Sequence, residues 1–79
     1  MFYVYVIKSI LKNYRYVGLC KDWKKRIERH QNGWERTTKP YTPFKVLLIE
    51  RFTTRLQARE REKYLKSGVG KEWIKHQFE

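Results

Sequence analysis

The chain has 79 residues, of which 41% are hydrophobic and 16% aromatic, and this predicts one small domain over residues 1–79 with an aromatic-rich core. Cys20 is the only cysteine. A disulfide framework is therefore excluded, and Cys20 is expected to be a small, half-buried apolar residue of a cytoplasmic protein. The longest apolar runs have the length of strands, so neither a signal peptide nor a membrane span is predicted.

The charge of the chain indicates its class of partner. Nineteen Lys and Arg against eight Asp and Glu give a formal net charge of +11, and a much smaller excess would already provide solubility. Binding to a membrane surface usually needs a basic amphipathic helix or a polybasic tail, whereas here the basic residues are spread over the whole chain. We therefore expect a nucleic-acid partner, with DNA preferred and RNA left open, and no membrane partner.

The first twenty residues predict a β-hairpin. The unbroken β-branched and aromatic run from Phe2 to Lys8 predicts a strand covered on both faces. Lys12-Asn13 is typical of a turn, and Arg15 to Leu19 predicts the second strand. Gly18, near the end of that strand, suggests a bulge or a close backbone approach.

A helix and a long basic loop are predicted next. Asp22 is a suitable N-cap for a helix from Trp23 to Asn32 that ends at Gly33. Arg26 borders the apolar face of this helix, which is expected to contain Trp23, Ile27, His30 and Trp34. The polar segment from Asn32 to Pro43 predicts the loop.

A third strand is predicted from Phe44 to Phe52, again with two covered sides. On this interpretation the alternation puts Leu47 and Ile49 on one face and Phe44, Val46 and Leu48 on the other. The order of elements is then β-β-α-β-α-α once the two helices that follow are counted. It predicts an α+β fold in which a three-stranded antiparallel-type sheet is flanked by helices.

Two helices are predicted after the third strand. Thr53 or Thr54 can cap the first of them, which is expected to run to about Ser67 and to stop at Gly68. A short last helix is predicted from Lys71 to Gln77, with Trp73 and Ile74 packing inward.

Several familiar catalytic patterns are absent, namely a Gly-rich phosphate loop, a nucleophile elbow and a cluster of metal ligands. Phosphodiester hydrolysis needs a group that deprotonates or orients water, a cation that stabilises the phosphorane and usually a carboxylate for a metal ion. The chain has these residue types on its predicted elements: Tyr5 and Tyr16 in the hairpin, Arg26 and His30 on the first helix, and Glu60 or Glu62 on the second. Spacing alone does not establish that they converge.

Four segments in this order resemble the GIY-YIG nuclease superfamily, in particular its small stand-alone members and the N-terminal nuclease domain of the repair excinuclease. Tyr3-Val4-Tyr5 and Tyr16-Val17-Gly18 resemble the paired motif of the superfamily, and Lys25 to Gly33 resembles its next segment, with an Arg and a His four residues apart. Ala58 to Lys66 resembles the segment with the metal-binding glutamate. Pro43 to Val46 resembles the beginning of the third strand in small members.

The resemblance implies a GIY-YIG endonuclease that hydrolyses DNA, in repair or recombination, with a single Mg²⁺ or Mn²⁺ and no small-molecule cofactor. Tyr5 and Tyr16 would line the site, one of them as general base or water-positioning group. Arg26 would hold the scissile phosphate, and His30 would assist a tyrosine or the leaving group. Glu62 would bind the metal ion, because its spacing from Ala58 matches the family motif, whereas Glu60 is expected to pair with surface cations.

Further nucleic-acid contacts are expected around the site. The resemblance implies that Gly18 keeps the strand end slim enough for a phosphate to approach. Tyr41 lies among cations in the long loop, which suits stacking on an unpaired base; alternatively, Tyr41 and Trp34 pin the loop to the core. The complete set of expected nucleic-acid contacts is Gly18, Lys25, Arg29, Arg36, Lys39 and Tyr41.

The sequence departs from the family pattern at two positions. Tyr3 stands where the name-giving Gly would be, and Leu19 stands where excision-repair relatives carry a lysine.

Each predicted site residue also has a structural interpretation, with the tyrosines as packing residues and His30 as a half-buried, hydrogen-bonded histidine. Two other functions are possible from the sequence: a nucleic-acid-binding module without activity, and a protein-interaction or ribosome-associated factor. The oligomeric state is open.

Overall fold

An antiparallel sheet of three strands forms the centre of the structure, a computed structural model that describes residues 1–79. Strand β1 (Phe2–Ser9) lies between β2 (Arg15–Cys20) and β3 (Phe44–Phe52). The unbroken apolar run of the sequence is thus the central strand, and its segment from Val4 to Ile7 has no exposed surface. The predicted α+β fold, with an antiparallel sheet flanked by helices, is confirmed.

Three α-helices and one short 3-10 turn complete the fold: α1 (Trp23–Gln31), the turn Lys39–Tyr41, α2 (Arg55–Lys66) and α3 (Gly68–Phe78). The Asp22 side chain accepts a hydrogen bond from the backbone N–H of Lys25, and Thr54 does the same for Gln57. Both predicted N-caps therefore begin their helices, with Thr54 chosen over Thr53. No helix is both long and apolar enough to cross a membrane.

The last helix begins earlier than predicted. The expected end of α2 at about Ser67 agrees with the observed end at Lys66, but α3 begins at Gly68 and not at Lys71. Ser67 makes the corner: it follows α2, and its hydroxyl accepts a hydrogen bond from the backbone N–H of Gly70 at 3.1 Å, which caps α3. Gly70 allows the corner to be tight, because an added Cβ there would overlap the backbone of Tyr64 and Leu65.

The sheet has a different helical partner on each face. One layer, called the α2–α3 layer, consists of Val4, Val6 and Val17 packed with Ala58, Leu65 and Ile74. The other, called the α1 layer, consists of Tyr5, Ile7, Cys20 and Phe44, with Tyr16, Trp23 and Ile27 packed against them. Cys20 is more deeply buried than expected, and burial raises the pKa of its thiol, which suits a structural role.

Strand β3 departs from simple alternation. The β1–β3 register shifts between Val6 and Ile7, and such a bulge puts consecutive residues of the longer strand on one side. As a result Leu47 and Leu48 both pack in the α2–α3 layer, while Ile49 packs in the α1 layer. The expectation that both sides of β3 are covered therefore holds for the middle of the strand, whereas Val46 is 42% exposed.

Trp34 does not share the apolar face of α1. The helix ends at Gln31, and Gly33 adopts a φ of 71°, a left-handed conformation that turns the chain away from the helix axis. Trp34 follows this turn and is 61% exposed. Because α1 ends before Trp34, Trp34 does not lie on the helical face that contains Trp23 and Ile27.

Candidate active site

Tyr5 and His30 form a hydrogen bond at the centre of the α1 layer. The hydroxyl oxygen of Tyr5 and Nε2 of His30 are 2.8 Å apart, and the two residues are 0% and 1% exposed. Tyr5 comes from the central strand and His30 from the last turn of α1. The structure therefore brings together two residues whose sequence positions are 25 apart, and it does so inside the protein rather than on its surface.

Thr38 completes the hydrogen bonding of His30. Nδ1 of His30 is 2.7 Å from the hydroxyl oxygen of Thr38, which is fully buried. Each ring nitrogen of the neutral imidazole thus has one hydroxyl partner, and the Thr38–His30–Tyr5 chain fixes the orientation of the ring. Sequence reasoning missed Thr38, because a single threonine in a polar loop carries no pattern that would single it out.

Gln31 holds the end of α1 against the sheet. Its side-chain Nε2 donates to the carbonyl oxygen of Phe44 at 2.6 Å, and its Oε1 accepts from the backbone N–H of Phe44 at 2.8 Å. The amide therefore acts as a strand partner for the first residue of β3 and anchors the helical turn that carries His30. Gln31 was also missed, since a glutamine in the last turn of a helix gives no sign of this contact.

Burial keeps His30 neutral. The pKa of His30 lies below its usual value of 6.5, because burial disfavours the charged imidazolium. The carboxylate of Glu35 raises this pKa, and the cationic side chains of Arg26 and Arg29 lower it. His30 is therefore an uncharged hydrogen-bonding group at neutral pH.

The depressed pKa of His30 makes the stability of the fold depend on pH. The unfolded chain takes up a proton near pH 6.5, whereas the folded chain does so only at lower pH. Stability is therefore lost as the pH falls below about 6.5, by at most about 1.4 kcal/mol per pH unit. Urea unfolding across this range should show a flatter profile for His30→Gln and an unchanged one for His76→Gln, whose side chain is 81% exposed. Equal slopes in the wild type and His30→Gln would contradict this.

Gly18 lies directly against the ring of Tyr5. The two residues are cross-strand partners on β1 and β2, and an added Cβ at Gly18 would overlap the hydroxyl and the ring of Tyr5. The expected close approach to Gly18 is thus found, and the group that approaches is the Tyr5 side chain. The alternative, a bulge at Gly18, is not found, because the register shift of the sheet lies between β1 and β3. The predicted contact of Gly18 with a phosphate stays a prediction.

Gly18→Ala is expected to lower the free energy of unfolding by about 1–3 kcal/mol, the usual cost of overpacking a core. The added Cβ would overlap the buried Tyr5 ring and displace it from His30. Gly68→Ala is the matched control, because no atom lies within 4 Å of its added Cβ. Urea unfolding of both variants measures the difference in the free energy of unfolding. Equal unfolding midpoints for Gly18→Ala and Gly68→Ala would show that the Tyr5 ring is not fixed against Gly18.

Tyr16 and Arg26 lie beside the buried pair and remain partly exposed. The Tyr16 ring centroid is 5.1 Å from that of His30 and 6.2 Å from that of Tyr5. Burial raises the pKa of Tyr5 above its usual value of 10.0, with a further increase from Tyr16, while the neighbouring Arg26 acts in the opposite direction. Tyr5 is thus protonated and inaccessible, and Tyr16 and Arg26 are the members of the group that a ligand can reach.

Glu62 lies on the buried side of α2, on the other face of the sheet from α1. The buried residues of α2 are Ala58, Glu62 and Leu65, and Ala58 and Leu65 pack in the α2–α3 layer. On the same helix, the neighbouring Arg61 donates to Glu50 of β3 at 2.7 Å. Glu62 is therefore held at the layer opposite to the one that contains Tyr5 and His30.

Two cations hold the Glu62 carboxylate. Its Oε2 accepts a hydrogen bond from Lys66 at 3.2 Å, and its Oε1 is 3.7 Å from Arg59. Glu62 itself is 8% exposed. Lys66 also lines a groove together with Tyr16, but no hydrogen bond or ion pair joins Glu62 directly to Tyr5, Tyr16, Arg26 or His30.

The donor set at Glu62 fits one kind of metal site. No group of three or more His, Cys, Asp or Glu side chains surrounds it, so the chain cannot form a closed protein cage for an ion. A single carboxylate with water and phosphate oxygens is, however, a common arrangement for Mg²⁺. Glu60 is less suited, because it is exposed and forms no ion pair, contrary to the expected surface pairing.

The other predicted nucleic-acid contacts fall into two groups. Lys25 and Arg29 line a cleft that they share with Arg26, and Arg29 is paired with Glu35 at 2.6 Å. Arg36 and Lys39 are exposed in the loop after α1 and form no ion pair.

Tyr41 is partly buried and stacks on another tyrosine of the chain. Its ring lies 3.8 Å from that of Tyr14, with an angle of 7° between the planes, and the Lys12 ammonium is 5.4 Å from its centre. These contacts pin the loop to the hairpin and agree with the structural interpretation of Tyr41. Trp34 takes no part in this, since it is exposed.

The GIY-YIG catalytic domain model matches residues 1–75, and the chain therefore belongs to the GIY-YIG family. No curated protein and no solved structure matches it significantly. The family domain indicates nuclease-type activity, the hydrolysis of phosphodiester bonds in nucleic acid. GIY-YIG nucleases generally depend on a divalent metal ion.

Proposed function

We propose that this chain is a DNA endonuclease that works with one divalent metal ion, Mg²⁺ or Mn²⁺. The observation that carries the proposal is the buried Thr38–His30–Tyr5 chain with Tyr16 and Arg26 at its accessible side. Such a chain of oriented hydrogen bonds is what a preorganised reaction centre needs. The resemblance to the excinuclease domain supports a role in DNA repair or recombination in the cytoplasm.

Arg26 is the group that binds the scissile phosphate in this proposal. Its guanidinium is always charged and can donate two parallel hydrogen bonds to phosphate oxygens. As water attacks phosphorus, negative charge accumulates on those oxygens, and a fixed cation stabilises that charge. The neighbouring His30 stays neutral and so does not compete for the phosphate.

Tyr16 is the tyrosine that acts on the attacking water. Tyr5 is completely buried, whereas Tyr16 is partly exposed next to His30. A hydroxyl that both donates and accepts can orient a water molecule for in-line attack, and it can accept the proton of that water as it passes its own proton to a phosphate oxygen. Tyr5 and His30 are positioning residues, because they touch Tyr16 and Arg26 rather than the substrate.

Glu62 would hold the metal ion through its carboxylate, with water and the phosphate as the remaining ligands. The ion, when bound, would lower the pKa of water and neutralise charge on the phosphate. Its binding would compete with Lys66 and Arg59 for the carboxylate oxygens. That competition favours weak, reversible binding of the metal ion, which depends on the phosphate being present.

The same competition supports a second candidate, a nucleic-acid-binding module without activity, since the Glu62 carboxylate is already neutralised. End-labelled duplex, flap and branched DNA and matched RNA, each incubated with Mg²⁺, Mn²⁺ or EDTA, distinguish the two. If the chain is an endonuclease, it should cleave at least one DNA substrate, and EDTA should abolish that cleavage. Tight, salt-sensitive binding with every substrate left intact would favour the module instead.

A further inference from the structure

A basic cleft lies at the Cys20 end of β2. It has a volume of about 480 Å³, and its walls come from the end of β2 and from the first turns of α1 and α2. Five basic side chains face it against one acidic side chain; the basic ones are Lys21, Lys25, Arg26, Arg29 and Arg55, and the acidic one is Asp22. Sequence analysis did not select Lys21 or Arg55, because they are two basic residues among nineteen.

The positive charge of this cleft is not neutralised by the protein. Of its five cations only Arg29 forms an ion pair, with Glu35, and the Asp22 carboxylate is engaged as the helix cap of α1. A second groove, of about 350 Å³ beside Tyr16, is more nearly neutralised, since two of its three cations, Arg15 and Lys66, are paired with Glu79 and Glu62 and only Lys71 forms no ion pair. Uncompensated cations in one cleft repel each other and are stabilised only by an anion from outside.

The two helices that begin at the cleft add to the same charge. Neither α1 nor α2 has an acidic residue in its first turn, although the partial positive charge of a helix N-terminus favours acidic side chains there. Instead, Lys25 and Arg55 occupy those turns. The first turns of both helices thus add positive charge to the cleft, and because Asp22 and Thr54 already cap the helices, the basic side chains are the groups that can hold an anionic ligand.

We propose that this cleft binds another backbone phosphate of the strand that carries the scissile one, through Lys21, Lys25 and Arg55. The inference rests on the proposed function, because Arg26 lies in the wall of the cleft and also beside Tyr5. Tyr16 and Cys20 are four residues apart on β2, which is about 13 Å along a strand. The cleft is therefore too far from Tyr16 for the reacting phosphate, and the substrate strand runs along the outer edge of β2.

The double variant Lys21→Gln/Arg55→Gln tests this subsite. Both residues are exposed and form no ion pair, and the one further contact is that of the Lys21 ammonium with the Phe2 ring at 5.5 Å, so the fold should persist. The matched control, Lys45→Gln/Lys75→Gln, removes the same charge from exposed positions that line neither cleft. Binding of short labelled DNA in EDTA, measured over a range of salt concentrations, keeps binding separate from cleavage.

We expect the cleft variant to bind DNA about tenfold more weakly near 0.1 M salt. Its slope of log K against log salt should be shallower by about 0.9 for each phosphate that the cleft no longer neutralises. The control should retain both the affinity and the slope of the wild type to within a small change. In cleavage assays the cleft variant should raise KM and leave kcat in place, since Arg26 and Tyr16 are intact.

Two results would overturn the subsite. If both double variants bound DNA more weakly by the same factor, the effect would be that of net charge alone; if the cleft variant bound like the wild type, the cleft would have no ligand. If the wild type cleaves DNA and the cleft variant binds DNA normally, the subsite is excluded and the nuclease assignment stands. If the wild type never cleaves DNA but the cleft variant loses binding, the nuclease assignment is excluded and the phosphate-binding cleft stands.

Discussion

Glu62→Gln should lower the rate of DNA cleavage by at least about 100-fold, because the amide keeps the shape of the side chain but loses the charge that binds the metal ion. The fold should persist, since the ion-pair partners Lys66 and Arg59 are 53% and 63% exposed and can be solvated when the pair is broken. Single-turnover cleavage under saturating protein measures the chemical step.

Glu60→Gln is the control for that experiment. It lies on the same helix two residues earlier, but it is exposed and unpaired, so its rate should equal that of the wild type. Raising the Mg²⁺ or Mn²⁺ concentration should restore part of the activity of Glu62→Gln if the defect is in metal binding. Equal rates for Glu62→Gln and the wild type would remove Glu62 from the reaction, whatever Glu60→Gln does.

Tyr16→Phe should lower kcat by about 10²–10⁴-fold, the range associated with losing a group that transfers a proton in the transition state. DNA affinity should stay close to that of the wild type, because the ring remains and the cations that bind phosphate are untouched. Single-turnover rates and Kd measured on the same DNA separate the two effects.

Tyr14→Phe provides the comparison for Tyr16→Phe. Tyr14 lies two residues earlier, and its ring stacks on Tyr41 at 3.8 Å without a hydrogen bond from its hydroxyl, so removal of that hydroxyl should have no effect on cleavage. A full rate in Tyr16→Phe would exclude this hydroxyl as the water-positioning group. A parallel loss of DNA binding would instead indicate that Tyr16 contributes to affinity and not to chemistry.

Much of the fold could be predicted because local patterns and long-range packing agree. The run from Phe2 to Lys8 has no polar alternation, and a strand of that kind must be central. Asp22 and Thr54 cap their helices through contacts with residues only three positions away, which a sequence displays directly. The errors at Gly68 and Leu47 have a different origin, since a helix corner and a bulge depend on how two elements pack.

The candidate site could be predicted in part for the same reason. The family resemblance carries the order of Tyr5, Tyr16, Arg26 and His30 along the chain, and the structure brings these side chains together in and beside the α1 layer. Thr38 could not be found, because its contact with His30 requires the loop after α1 to fold back.

Glu62 is the predicted site residue that the structure connects least to the others. Family spacing selects it, and its burial on the sheet-facing side of α2 agrees with that selection. Its ion-pair partners, however, are Lys66 and Arg59 and not the residues of the α1 layer. A bound phosphate and a metal ion must therefore link Glu62 to the α1-layer residues if Glu62 takes part in the reaction.

A crystal structure of Tyr16→Phe with DNA and Mn²⁺ tests that requirement most directly, since a slow variant should trap the uncleaved strand and Mn²⁺ can be located by its anomalous scattering. We expect one Mn²⁺ ion bound by the Glu62 carboxylate and by an oxygen of a phosphate that Arg26 also contacts. An ion bound away from Glu62, or a strand whose phosphates never approach Arg26, would contradict the proposed mechanism.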